Sequence, residues 1–256
     1  MNRIQKLFKQ KDKNILSIYF TAGFPTLNST LEIIEYLDAS EVDMIEIGMP
    51  FSDPLADGLT IQQANTIALQ NGMSIKILLQ QLKELRTIST KPILLMGYLN
   101  PILQFGETEF LKAIHEIGID GLIIPDMPLL YYQTNLKQLY SKYNMAHVML
   151  VTPTTSDERI KEIDEQATGF IYVVSSNSIT GNHFNSQNQM DYFKRLQNLS
   201  IKNKTIVGFG IHDKASLSDA FQFANGAIIG SAFVKHIGTN TISKKSINDY
   251  IQNLLP

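Results

Sequence analysis

The stretch Val42-Asp43-Met44-Ile45-Glu46-Ile47-Gly48-Met49-Pro50-Phe51-Ser52-Asp53-Pro54-Leu55-Ala56-Asp57-Gly58 changes character half-way along. Up to Gly48 it is a short apolar run of the kind that forms a strand. Beyond it, Pro50 and Pro54 stiffen an acidic loop that carries Asp53 and Asp57. Side-chain alternation puts Met44, Glu46 and Gly48 on one face of the strand and Asp43, Ile45 and Ile47 on the other. A carboxylate therefore shares a face with apolar neighbours. Comparable runs occur at Ile15–Thr21, Ile93–Tyr98, Gly121–Pro125, Ala146–Thr152, Gly169–Ser175, Thr205–Gly208 and Gly226–Gly230, so that with Val42–Gly48 the chain holds eight candidate strands.

Each strand is separated from the next by room for a helix, and the intervening segments show amphipathic spacing, as at Leu31, Ile34 and Leu37. Ser29 with Glu32, and Thr155 with Glu158, have the spacing of reciprocal helix caps. Near-continuous hydrophobicity suits parallel strands covered on both sides. An open doubly wound sheet would also alternate in this way, but the first strand-to-helix turn, Thr21-Ala22-Gly23-Phe24-Pro25, lacks the glycine fingerprint of that fold. The fold class is therefore α/β, a closed (β/α)8 TIM barrel. Met1–Lys13, with Ile4, Leu7 and Phe8 among basic residues, is expected to form a short N-terminal helix covering one end. Such barrels typically take about 250 residues. The 256 residues show no linker and no compositional break, which implies a single barrel domain over 1–256.

An apolar share of 44% and a charged share of 18% are globular and argue against disorder. With 22 Lys and Arg against 24 Asp and Glu there is no general attraction to nucleic acid or to anionic membranes. The absence of cysteine removes disulfides, thiolate ligands and a thiol nucleophile, so catalysis falls to oxygen and nitrogen groups. No long apolar segment suggests export or membrane insertion, and a cytoplasmic location is expected.

Glu46 is costly in a dry shell unless paired, whereas at the C-terminal mouth of a barrel it meets the usual position of an active site. Burial there would raise its proton affinity and suit it to acid–base work near neutral pH. Asp53 and Asp57 are either further carboxylates held near it or ordinary loop and cap residues. Glycines follow the last three strands, in Ile179-Thr180-Gly181, Gly208-Phe209-Gly210 and Gly230-Ser231. Barrels often bind phosphate at this end through backbone amides and a helix N-terminus. Lys91 and Lys204 begin strands, at the wrong end for a Schiff-base lysine. His115, His147, His183, His212 and His236 show no metal-ligand spacing. Tyr19, Tyr98 and Tyr172 fit either core packing or the wall of a pocket for a flat ring. The residues themselves lead to a phosphorylated small molecule with an apolar portion, handled by carboxylate proton transfer.

The segment Ile45–Gly58 closely resembles the signature of tryptophan synthase α subunits. Thr21-Ala22-Gly23, Gly97-Tyr98-Leu99-Asn100-Pro101, Asp126-Met127-Pro128, Thr152-Pro153-Thr154-Thr155, Gly208-Phe209-Gly210-Ile211 and Ile229-Gly230-Ser231-Ala232 match in the same order through most of the chain. The resemblance implies a lyase that splits indole-3-glycerol phosphate into indole and glyceraldehyde 3-phosphate. It casts Glu46 as the acid/base at indole C3 and Asp57 as the group holding the indole N–H. Tyr19, Ile61, Tyr98, Tyr172, Thr180 and Phe209 would surround the substrate, and Gly181, Gly210, Gly230 and Ser231 would bind the phosphate. It also implies no cofactor in this chain, and a partner β subunit carrying pyridoxal phosphate in an α2β2 complex. Asp53 and Pro54, with the Ser178–His183 loop, would lie toward that partner. The family loop has glycine where Ser178 stands. The alternatives are another phosphate-binding barrel, such as a phosphoribosyl isomerase, and a weakly catalytic regulatory subunit.

Overall fold

The computed structural model describes residues 1–175 and 187–255. Eight parallel strands close on themselves in chain order: β1 (Ile15–Thr21), β2 (Met44–Gly48), β3 (Ile93–Met96), β4 (Gly121–Ile123), β5 (Ala146–Val151), β6 (Ile171–Val174), β7 (Thr205–Gly208) and β8 (Gly226–Ile229). The last strand pairs with the first, Ser17 lying beside Ile228. All eight expected strands are present. Several are a residue or two shorter than their apolar runs, because the backbone leaves the ladder where the mouth loops begin, as after Met96 and Ile123. The strand residues are almost entirely buried, since helices cover the outside and side chains fill the inside.

The helix Arg3–Gln10 lies against one end of the barrel. It starts with a capping box in which Asn2 and Gln5 satisfy each other's backbone amides. Ile4 is fully buried, and Asp120, just before β4, binds Arg3 at 3.1 Å and Arg86 at 2.7 Å. That contact places the helix at the N-terminal end of the strands, opposite the mouth. Lys91 sits at the same end and donates to the carbonyls of Leu37, Ser40 and Val42. Lys204 pairs there with Asp12. Both lysines thus stand away from the mouth.

The two expected helix caps differ in detail. The helix Ser29–Asp38 has Asn28 at its cap position and no side-chain cap. Ser29 lies inside the first turn, where its hydroxyl accepts from the Thr26 amide. At the helix Asp157–Gln166 the capping hydroxyl belongs to Ser156 rather than Thr155. The Thr155 hydroxyl is already engaged with the Thr152 amide, closing the turn that precedes the helix. Among the described residues no helix is long and apolar enough to cross a membrane.

Candidate active site

The barrel register sets the inner wall. Tyr19 lies beside Glu46, Glu46 beside Leu94, and on the far side Leu150 beside Tyr172 and Tyr172 beside Ile206. Glu46 is fully buried. Its Oε1 accepts a 2.8 Å hydrogen bond from the Ser17 hydroxyl, while Oε2 has no partner. Loss of solvent pushes the carboxyl up to about 8, and the Ser17 hydroxyl works against that rise.

Asp57 closes the acidic loop and is 8% exposed. Its amide donates to the Pro54 carbonyl and its own carbonyl accepts from Gln62, so the backbone is held on both sides. The carboxylate accepts from the Tyr98 hydroxyl at 3.1 Å, and that hydroxyl accepts in turn from the Ala56 amide at 3.0 Å. The Phe51 ring packs on Tyr98 with centroids 5.1 Å apart. Burial pushes Asp57 up to about 6, against the donors on Tyr98 and Asn65. The carboxyl groups of Glu46 and Asp57 therefore differ in proton affinity, with values that straddle neutral pH.

A narrow cavity of about 70 Å³ opens at this end of the barrel. Tyr19, Ile61, Tyr172 and Phe209 form its apolar wall, Asp57 lies on one side, and Gly210, Gly230 and Ser231 form the opposite end. Tyr98 lines a small adjoining hollow with Tyr19 and Asp57. Glu46 is not part of the wall of the larger cavity. The tyrosines fit because their neighbours lack side chains: a Cβ on Gly48 would run into the Tyr19 hydroxyl, and one on Gly208 into the Tyr172 hydroxyl.

At the glycine end, Phe209 and Gly210 both adopt left-handed backbone, with φ of 71° and 73°. For Phe209 that conformation costs on the order of 1–2 kcal/mol and needs outside support. Ser175 supplies it by donating to the Phe209 carbonyl at 2.6 Å, and Gln189 holds the Ser175 carbonyl at 3.0 Å. Gly230 is the cap residue of the helix Ser231–Thr239. The first amides of that helix have no partner within it and carry the positive end of its dipole.

The structure brings together Tyr19, Asp57, Ile61, Tyr98, Tyr172, Phe209, Gly210, Gly230 and Ser231, with Glu46 buried beside Tyr19. Asp53 is exposed and Pro54 half-buried on the loop outside. Thr180, Gly181, Ser178 and His183 lie outside the described residues. Ser17, Asn65 and Ser175 were missed in the sequence, although period two from Tyr19 marks Ser17 as the polar member of an apolar strand, and a spacing of four from Ile61 puts Asn65 on one helix face. His147 is a packing residue, stacked on Tyr132 and held neutral by burial, which lowers it to about 3. Among the described residues no group of three or more His, Cys, Asp or Glu is arranged to hold a metal ion.

Fold and site together define a (β/α)8 barrel with an apolar pocket lined by Asp57, Gly230 and Ser231, and a second carboxyl group of higher proton affinity, Glu46, buried beside Tyr19 of the pocket wall. The family model for the tryptophan synthase alpha chain matches residues 5–254. The tryptophan synthase alpha chain of Flavobacterium psychrophilum is 52% identical over 256 residues, covering 99% of this chain and all of its own, and that of Flavobacterium johnsoniae is 54% identical over 246 residues, covering 95% and 96%. The crystal structure of the alpha subunit from Legionella pneumophila superposes with a TM-score of 0.88 at 31% identity, covering 99% of this chain and 97% of its own. The A-subunit from Pyrococcus furiosus gives 0.85 at 35% identity, covering 95% and 98%. The chain belongs to the tryptophan synthase alpha chain family.

Proposed function

We propose that this chain, working as one barrel domain in the cytoplasm, cleaves indole-3-glycerol phosphate to indole and glyceraldehyde 3-phosphate as the α subunit of tryptophan synthase. The observation that carries this reading is the pair of buried carboxyl groups at this end of the barrel, Asp57 on the cavity wall and Glu46 beside Tyr19, which lines the same cavity. Near pH 7 Glu46, at about 8, keeps its proton, while Asp57, at about 6, has lost its own. An acid and an anion at one site are what a retro-aldol cleavage of an indole requires.

Glu46 gives its proton to indole C3, and the ring becomes the electron sink for the bond to be broken. Asp57 accepts the indole N–H and stabilises the positive charge that develops on the ring. The Glu46 carboxylate so formed takes the proton of the glycerol hydroxyl as the C–C bond parts and the aldehyde forms, which restores the neutral acid. Tyr19, Ile61, Tyr98, Tyr172 and Phe209 surround the ring and the glycerol chain, with Thr180 contributing from the loop after β6. Backbone amides at Gly181, Gly210, Gly230 and Ser231 bind the phosphate. The substrate's own ring does the work of an electron-withdrawing cofactor, so the pyridoxal phosphate of the complex belongs to the β subunit.

The partner docks at the mouth, on the loop bearing Asp53 and Pro54. Leu55 is 92% exposed and Leu59 66% exposed there, which suits a surface that another chain covers. Free indole is small and apolar enough to escape, which favours its passage through a tunnel in an α2β2 complex. A partner that stabilises the closed mouth would also raise activity.

The experiment is indole release from indole-3-glycerol phosphate by wild type and Glu46→Gln, with and without the cognate β subunit, alongside sedimentation. Glu46→Gln is expected to lose about 10²–10⁴-fold while still binding substrate. The wild type is expected to be slow alone and faster in complex. Turnover of a phosphoribosyl compound without indole would assign a different barrel enzyme, and no complex at micromolar concentrations would refute the partnership.

A further inference from the structure

Ser17 has no place in the scheme above, yet among the described residues it alone donates to the Glu46 carboxyl. Both residues are fully buried. In register Ser17 lies beside Met44, one inward-facing step deeper than the Tyr19 and Glu46 pair, so the bond draws the carboxyl toward the interior of the barrel. The titratable groups that interact with Glu46 are Tyr19 of β1 and Tyr172 of β6, and Asp57 acts on the same two tyrosines. None is a cation, and Ser17 is the group that counters the effect of burial.

We propose that Ser17 is a positioning residue whose hydroxyl, donated to Oε1, fixes which oxygen of Glu46 carries the proton, leaving it on Oε2. The inference rests on the reading of Glu46 as proton donor. A neutral carboxyl has one oxygen that accepts well and one that carries the hydrogen. Among the described residues the Ser17 hydroxyl has no acceptor other than Oε1. With Oε1 already holding the Ser17 hydrogen, the open position for the proton is Oε2; a proton on Oε1 would require the Ser17 hydroxyl to turn and accept, and would be tied to Ser17. Oε2, which has no protein partner, is then the oxygen free to deliver the proton. The same bond strengthens when Glu46 ionises, so it also keeps a deeply buried acid able to release its proton.

The test uses Ser17→Ala and Ser17→Thr in complex with the β subunit, read by infrared difference spectroscopy and by the pH profile of kcat. Glu46→Gln identifies the Glu46 carboxyl C=O band by its disappearance. Ser17→Ala is expected to move that band to higher frequency, because its carbonyl oxygen loses a donor. It is also expected to lower kcat several-fold with KM unchanged, and to move the alkaline limb up by about one pH unit. Ser17→Thr, which keeps the hydroxyl, is expected to retain both wild-type signatures. A band or a limb that does not move in Ser17→Ala overturns the proposal. Undiminished indole release by Glu46→Gln would instead overturn the role given to Glu46, and the two failures are read from different variants.

Discussion

Glu46→Gln should yield a protein that is inactive and more stable than the wild type, by a margin that grows with pH. Burial raises the Glu46 carboxyl from its ordinary value of 4.5 to about 8. Between those two values the folded chain holds a proton that the unfolded chain has released, so wild-type stability falls as pH rises through this window. Each pH unit is worth about 1.4 kcal/mol, which gives a penalty on the order of 3 kcal/mol at pH 7 and under about 1 kcal/mol at pH 5. Glutamine removes that dependence with little other change. Its carbonyl can accept from Ser17 as Oε1 does, and its amide places a donor where the carboxyl carries its proton. For a chain of this size about 1 kcal/mol moves Tm by roughly 2–4 °C, so the variant should melt about 6–12 °C higher at pH 7 and only slightly higher at pH 5. Thermal melts followed by circular dichroism from pH 5 to pH 8 measure the gap directly. A gap that is constant across this range, or a variant less stable throughout, would refute the claim that Glu46 is folded with its proton on.

Two other consequences are more direct. The pH profile of kcat/KM should be a bell that rises as Asp57 ionises near pH 6 and falls as Glu46 loses its proton near pH 8, since the reaction needs the first charged and the second neutral. A rate that keeps rising beyond pH 9 would be incompatible with Glu46 as the acid. Gly230→Val should raise KM for indole-3-glycerol phosphate roughly tenfold or more with little change in Tm, because a Cβ there meets Tyr19 at 3.5 Å and Ile61 at 3.7 Å and larger branches enter the cavity. The backbone at Gly230 has a φ of −112°, outside the left-handed region that favours glycine. An unchanged KM in the folded variant would place the phosphate elsewhere.

Buried strands announce themselves in sequence because most residues of such a strand are apolar whichever way they face, and β1 and β7 begin and end where their apolar runs do. Caps are harder to read, because one hydroxyl can serve either the turn or the helix. Thr155 and Ser156 stand side by side, and only the bond from the Thr152 amide to Thr155 decides which of them is left to cap. The same difference separates the parts of the site. Glu46 stood out because a carboxylate inside an apolar run needs an explanation, and Asp57 because two prolines and a glycine frame it. Ser17 did not, since a serine in a strand has many ordinary uses and its meaning depends on a residue 29 positions away. That separation is spanned by the pairing of β1 with β2, which places the hydroxyl within 2.8 Å of Oε1. A residue whose role is to constrain another side chain is thus visible only once the register is known. It follows that the proton affinity of Glu46, set by burial on one side and Ser17 on the other, is a property of the closed barrel rather than of the motif that carries the glutamate.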